Sequence, residues 1–309
     1  MLNPKKLSKL GIGTWGIGGF DKRDPHNNDQ RQIEAMTYMF DHGINFFETT
    51  IWYSEGWAAQ LVAEALSKSN KKREDIFISQ AIYPYDLETL SNAHKEVEVF
   101  AKRFHTTYVD TVLFTGGGIA KYGLAESIQF FQDNLKKGKT RFVSITNTSL
   151  EVLQTMHKAF GSKLFSQEIH FSFEVRDIED AGLVEYASKN RILNIIYQPL
   201  RRNRTAPHNW PLLVELSKKY KKTQNQILIQ WLIARGFLPL VKSETIDHIK
   251  ENLAALDFQL EKEDVERLNR FRVPNYKPPV IDWGRQGSGT PPHMLPNVFD
   301  EEYAKQQKK

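Results

Sequence analysis

Gly43-Ile-Asn-Phe-Phe-Glu48-Thr-Thr-Ile-Trp-Tyr53-Ser-Glu-Gly56 reads as a short strand over 44–47 that runs straight into a loop carrying an acid and a phenol. Gly43 closes the helix before it, because glycine accepts the left-handed conformation that ends helices. A carboxylate at the C-terminal end of a strand, with a phenol five residues on, can face a pocket beyond the sheet edge. The same alternation continues on both sides. Short apolar runs at 9–12, 45–47, 76–81, 111–114, 142–146, 165–169, 193–197 and 238–241 are expected strands. Amphipathic stretches at 30–42, 58–68, 87–104, 124–137, 150–160, 180–189, 212–220 with 224–235, and 246–256 are expected helices. Alternation of this kind implies parallel strands with helical crossovers. Eight such units in roughly 250 residues suit a closed (β/α)8 TIM barrel better than an open sheet. One more amphipathic helix is expected at 261–271, so the barrel is assigned to 1–272. Residues 273–309, rich in Pro and Gly but carrying Tyr276, Trp283, Met294 and Phe299, are expected to be an irregular tail packing on or near the barrel mouth.

Composition narrows the function classes. The 309 residues are 40% hydrophobic and 26% charged, an ordinary globular balance. No apolar run approaches the roughly 20 residues that span a bilayer, so no membrane partner is expected. The start, Met-Leu-Asn-Pro-Lys-Lys, has no apolar stretch behind its charges and does not read as a signal peptide. The absence of cysteine excludes disulfides and thiolate metal sites; with it goes the expectation of a cytoplasmic protein without a metal. A net charge of +5 and a pI near 9.1 come from lysines scattered along helices. No basic run is interleaved with aromatics, so no nucleic-acid partner is expected. A phosphate-bearing small molecule is the better use of local positive charge.

Gly11-Ile-Gly13-Thr-Trp-Gly16 fits the G-x-G-x-x-G dinucleotide pattern. That pattern requires a helix opening at the third glycine. The chain instead continues Ile-Gly-Gly-Phe-Asp-Lys-Arg-Asp-Pro, which no helix tolerates, so a Rossmann reading fails.

Several motifs, taken together, resemble the aldo-keto reductases from Leu10 to about Leu268. The opening stretch is similar to the family's Phe-Asp-Thr-Ala-x-x-Tyr-Gly, with Glu48 for the Asp, Tyr53 for the Tyr and Ser54 for the Gly. Leu10-Gly-Ile-Gly-Thr14-Trp15 is similar to the family's first strand, whose glycines allow close approach to the cofactor. Gly138-Lys-Thr-Arg-Phe-Val-Ser-Ile-Thr146-Asn147 is similar to the segment that holds the nicotinamide carboxamide, and Gln167 matches the third amide ligand. Tyr197-Gln198-Pro-Leu200 resembles Tyr-Ser-Pro-Leu, whose Tyr stacks beneath the nicotinamide. Arg201, Arg202 and Arg204 follow, within reach of a pyrophosphate. Lys242-Ser243 matches the pair on the adenosine 2′-phosphate, and Glu251-Asn252 the pair on the adenine. The usual Arg between them is His248. The resemblance thus implies NADP as cofactor, oxidoreductase activity and a small carbonyl or alcohol substrate, and it leaves the oligomeric state open.

The family's reducing set is Asp, Tyr, Lys and His. Only Tyr53 matches intact, with Glu48 as a lengthened Asp. The lysine position, in Phe77-Ile-Ser-Gln80-Ala81, is Ala81 or Gln80; the histidine position is Thr115, followed by Gly116-Gly-Gly118, which reads as space or a flexible loop. Phenols have a reference pKa near 10, so a Tyr without a neighbouring cation is a weak acid–base catalyst. The expectation is therefore a cofactor-binding oxidoreductase of weak or altered activity, with Tyr53, Glu48 and Thr115 as candidate catalytic groups. The alternatives are a degraded cofactor-binding or sensor protein, and a lyase or isomerase using Glu48 as base. Trp15, Trp52, Tyr83, Tyr85 and Trp283 are candidate substrate walls.

Overall fold

The computed structural model describes residues 3–83 and 88–274. Eight parallel strands close into a barrel in sequence order: β1 Gly11–Gly13, β2 Phe46–Thr49, β3 Phe77–Ile82, β4 Val109–Thr115, β5 Thr140–Thr146, β6 Leu164–His170, β7 Leu193–Tyr197 and β8 Leu238–Val241. Closure comes from β1 pairing with β8 through Gly11 to Leu240 and Ile12 to Val241. The outer ring holds α1 Asp29–Asp41, α2 Trp57–Lys68, α3 Leu90–Arg103, α4 Gly116–Tyr122, α5 Leu124–Lys136, α6 Leu150–Phe160, α7 Asp177–Asp180, α8 Leu183–Lys189, α9 Pro211–Tyr220, α10 Gln224–Ala234, α11 Ile246–Leu253 and the extra α12 Lys262–Arg270.

Boundaries follow local chemistry. Thr223 caps α10 and Gln226 reaches back to its amide, a complete capping box. Thr89 caps α3, so the helix begins three residues later than its apolar pattern implies. The helix expected at 180–189 breaks into α7 and α8 because Gly182 turns left-handed at φ 80°. The tail beyond 274, with Trp283, and Tyr85 in the β3–α3 connection lie outside the described residues.

Strand side chains alternate between core and exterior. On the inward side, Phe46, Phe77, Ile195, Leu238 and Leu240 form an apolar plug, with Phe142, Phe165, Leu193 and Leu7 packed on it. Gly11 belongs to this plug. A β-carbon there would stand 2.7 Å from Leu240 and Phe46, so this glycine serves packing inside the barrel, not approach to a ligand. Above the plug Thr111, Ser144 and Ser166 link their hydroxyls across β4, β5 and β6 at 2.8 and 2.7 Å. The interior above that layer turns acidic and aromatic at the C-terminal ends of the strands.

Gly116-Gly-Gly118 is not a flexible loop. It is the first turn of α4, capped by Thr115, whose Oγ1 accepts from Gly118 N at 3.0 Å. A β-carbon at Gly116 would meet the Asn147 carbonyl oxygen at 2.1 Å, and one at Gly118 would meet the Phe114 ring at 2.4 Å. These glycines let α4 lie directly on the β5 end and on Phe114.

Candidate active site

A cavity of about 430 Å³ opens at the C-terminal ends of the strands, within the usual size of a small-molecule site. It is lined by Gly13, Thr14, Trp15, Phe20, Glu48, Tyr53, Tyr83, Thr146, Asn147, Glu168, Tyr197, Gln198, Pro199, Leu200, Arg202, Asn203, Asn225, Leu240, Val241, Lys242, Ser243, His248, Glu251 and Asn252. Of the candidate catalytic and cofactor residues, all but Thr115, Gln167, Arg201 and Arg204 stand on this wall.

Three of these exceptions have a physical reason in the fold. Thr115 turns its hydroxyl to the α4 amide. Gln167 donates to the Leu183 carbonyl at 3.0 Å and to Asn194 Oδ1 at 2.7 Å, which places its amide on the outside of β6. Its neighbour Glu168 faces inward instead. Arg201 is fully buried against Glu174, and Thr205, His208 and Trp210 also bond that carboxylate. The β7 loop is pinned by this cluster, and Arg202 is the arginine left facing the cavity, 4.2 Å above the Trp15 ring. Strand parity settles β3 as well. Gln80 reaches Glu96 on α3, so it points outward and Ala81 is the inward residue.

Tyr53 sits where the chain leaves β2. The two residues after it, Ser54 and Glu55, are held left-handed at φ 55° and 56°. That conformation is costly for non-glycine residues. Ser54 N donates to the Phe20 carbonyl at 2.6 Å and Glu55 accepts from Arg23 N at 3.1 Å, so the β1 loop holds the turn in place. Tyr53 and Tyr83 share a hydroxyl hydrogen bond of 3.0 Å. Trp52 stands behind, its ring 5.4 Å from that of Tyr83, and packs on the wall without lining the cavity. Burial, then the Glu48 charge, holds the Tyr53 phenol well above its usual pKa, with Tyr83 and Glu168 adding to the effect.

Glu48 and Glu168 enter from β2 and β6. Glu48 Oε1 and Glu168 Oε2 are buried without a hydrogen-bond partner among the described residues. Burial raises the pKa of both; Glu168 is pushed up to about 8, and its charge raises Glu48 further. Thr14 Oγ1 donates to the Glu48 carbonyl at 3.0 Å and ties β1 to β2 beneath the cavity.

The outer half of the cavity has a different character. Tyr197 donates to Asn147 Oδ1 at 2.9 Å, and its ring stacks on His170 at 5.3 Å between centroids and 12° between planes. Burial first, then the charges of Arg201 and Arg202, lowers the His170 pKa to about 4, so that imidazole is neutral. Lys242 is reached by solvent through the mouth, yet enough protein surrounds its ammonium that desolvation lowers its pKa, with Glu244 opposing. It has no ion-pair or hydrogen-bond partner among the described residues. A β-carbon at Gly16 would lie 2.7 Å from its Nζ, so the third glycine of the Gly-rich stretch makes room for this lysine. Thr245 caps α11 beside it by accepting from His248 N, while Ser243 Oγ accepts from Thr245 N at 3.1 Å. Glu251 is held by Thr223 Oγ1 at 2.7 Å.

Glu168 is the residue that sequence reading missed. The deciding signal lies in the fold: Ser166 bonds Ser144 inside the barrel, and a period of two then carries Glu168, not Gln167, to the interior. Phe20, Asn203 and Asn225 come from loops and a helix start, where no periodicity marks them.

Among the described residues no helix is long and apolar enough to cross a membrane. The chain is 24% identical to an uncharacterized oxidoreductase, YtbE, of Bacillus subtilis over 82% of this chain and 87% of that one. It is 22% identical to methylglyoxal reductase YeaE of Escherichia coli over 85% and 90%, and 25% identical to an NADPH-dependent alpha-keto amide reductase of Saccharomyces cerevisiae over 72% and 74%. Among solved structures, the thermostable aldo-keto reductase Tm1743, in complex with the inhibitor epalrestat, superposes with a TM-score of 0.78 at 27% identity, covering 85% of this chain and 94% of that one. The aldo-keto reductase AKR2E5 complexed with NADPH superposes with a TM-score of 0.71 at 24% identity, covering 85% and 84%, and supports the fold. The aldo/keto reductase family model matches residues 9–272, and with the closed barrel and the cavity at its C-terminal mouth the chain belongs to that family.

Proposed function

We propose that this protein is an NADPH-dependent reductase of small carbonyl compounds that works without the family's lysine and histidine. The observation that carries the cofactor reading is Lys242, a cation without an anionic partner among the described residues, at the outer end of a cavity whose inner end holds Tyr53. Lys242, Ser243 and the start of α11 suit a phosphate, through an ammonium, a hydroxyl and helix amides. Asn252 and Glu251 would hold the adenine, and the ring of Tyr197 the nicotinamide. Thr146 and Asn147 would hold the carboxamide. When bound, NADPH supplies the hydride.

The chain's own residues supply the rest. Tyr53 keeps its proton, because burial and two nearby carboxyls oppose tyrosinate, so it acts as a hydrogen-bond and proton donor to the carbonyl oxygen. Tyr83 positions that phenol where a lysine would otherwise do so. Ala81 at the inward end of β3 and the capping role of Thr115 support a reducing set smaller than the family's. General acid help is worth roughly 10²–10⁴-fold, so turnover is expected to be slow.

Titration of tryptophan fluorescence with NADPH and NADH tests the reading. Wild type should bind NADPH more tightly, and Lys242→Ala should narrow the gap. Slow aldehyde turnover should fall at least tenfold in Tyr53→Phe. Absent quenching at high micromolar NADPH, or unchanged turnover in Tyr53→Phe, would end this proposal.

A further inference from the structure

Glu48 and Glu168 are two acids facing one cavity. Each has an oxygen buried without a hydrogen-bond partner, and no Lys, Arg or His pairs with either among the described residues. The cations on the wall, Lys242 and Arg202, stand on β8 and the β7 loop, where Lys242 meets Gly16 and Arg202 covers Trp15. A buried carboxyl without a partner keeps its proton, and a cation brought beside it favours the carboxylate instead, so this end of the cavity is suited to pairing with an entering positive charge. No group of three metal-ligating side chains occurs here among the described residues. Aromatic faces fit an organic cation better. Tyr53 and Tyr83 line the cavity beside the acids, with ring centroids 6.0 Å apart. Aromatic rings with a carboxylate are the arrangement that recognises ammonium groups.

We propose that the Glu48–Glu168 end of the cavity is a subsite for a protonated amine, so that the favoured substrates are carbonyl compounds carrying an ammonium group, such as amino aldehydes and amino ketones. The substrate class rests on the reductase reading above; the ammonium subsite itself does not. When the ammonium enters, Glu48 or Glu168 releases its proton to solvent and provides the counter-charge, and the rings desolvate the cation. Tyr53, hydrogen-bonded to Tyr83, stands beside the ammonium with its proton directed to the carbonyl.

Two isosteric probes, benzylammonium and benzyl alcohol, distinguish charge from shape. Their dissociation constants would be measured by calorimetry on the full chain at fixed ionic strength. Benzylammonium is expected to bind wild type at least about tenfold more tightly, and Glu48→Gln and Glu168→Gln should each erase most of that preference. No preference in wild type overturns the subsite. A preference that survives in both variants overturns its location. If one variant does not fold, the other decides. The oxidised nicotinamide ring is also an organic cation, so the titration is repeated with saturating NADPH, whose ring is neutral. A retained preference assigns the subsite to the substrate; a lost preference assigns it to the cofactor and overturns the substrate class. Failure of NADPH to bind at all removes the reductase reading and the substrate class with it, while the ammonium preference of the free protein still decides the subsite.

Discussion

At the scale of single residues, Glu168 carries the clearest consequence. Its carboxyl is buried, and its pKa is about 8 where a free glutamate's is about 4.5. Between those values the folded chain holds a proton that the unfolded chain has released. Stability therefore falls as pH rises through that window, and it levels off above pH 8. Glu48, raised by the same burial and by Glu168, acts in the same direction. Glu168→Gln has no proton to lose. The unfolding free energy from denaturant titrations should thus drop less between pH 5 and pH 8.5 in the variant than in wild type, by an amount of order one to a few kcal/mol. Parallel drops in the two proteins would mean that this carboxyl is solvated in solution. Burying an acid costs stability, and the subsite proposed above gives that cost a use.

At the scale of elements, the contact between α4 and β5 shows how packing sets a side chain needed by the site. Asn147 follows β5 in the left-handed region, φ 53°, and accepts from Tyr197. Its carbonyl lies where a β-carbon at Gly116 would be, 2.1 Å away. Gly116→Ala cannot be absorbed by a side-chain rotation, because both partners are backbone. The substitution should destabilise the protein by about 1–3 kcal/mol and displace Asn147 and Tyr197 together. The expected readout is a lower thermal midpoint with weaker NADPH affinity. An unchanged midpoint would show that α4 can lift off the strand end freely. The Arg201–Glu174 cluster plays a comparable part on the β7 loop, since it takes one arginine out of the cavity and leaves Arg202 facing in.

At the scale of the molecule, the barrel is closed unevenly. β4 and β5 pair through six register positions, whereas β7–β8, β8–β1 and β1–β2 pair through two each. Pro239 in β8 has no amide to donate. Local opening starts where few hydrogen bonds and contacts must break, so the seam around β8 should open first. Hydrogen exchange should be faster at the amides of 11–13 and 240–241 than at 111–115 and 142–146. Thr14 and Lys242 border this seam on the cavity side, so saturating NADPH should slow its exchange most. Uniform protection, with and without cofactor, would contradict a weak seam.

The sequence alone determined the barrel, because eight apolar strand patterns alternating with amphipathic helices admit few other topologies. It also determined most of the cavity wall: residues at strand C-terminal ends in a parallel barrel necessarily converge on one mouth, as Glu48, Thr146, Tyr197 and Lys242 do. Tertiary structure alone decided which of two neighbours faces in. A strand has a period of two, and a slip of one residue exchanges its faces; only pairing with β5 and packing on α8 send Gln167 out and Glu168 in. The same holds for Gly116, read from the chain as freedom and found in the fold as contact, because the backbone it touches lies thirty-one residues along the chain, at Asn147. Local patterns encode periodicity and caps. Side-chain direction at the site depends on distant neighbours, which exist only once the barrel has closed.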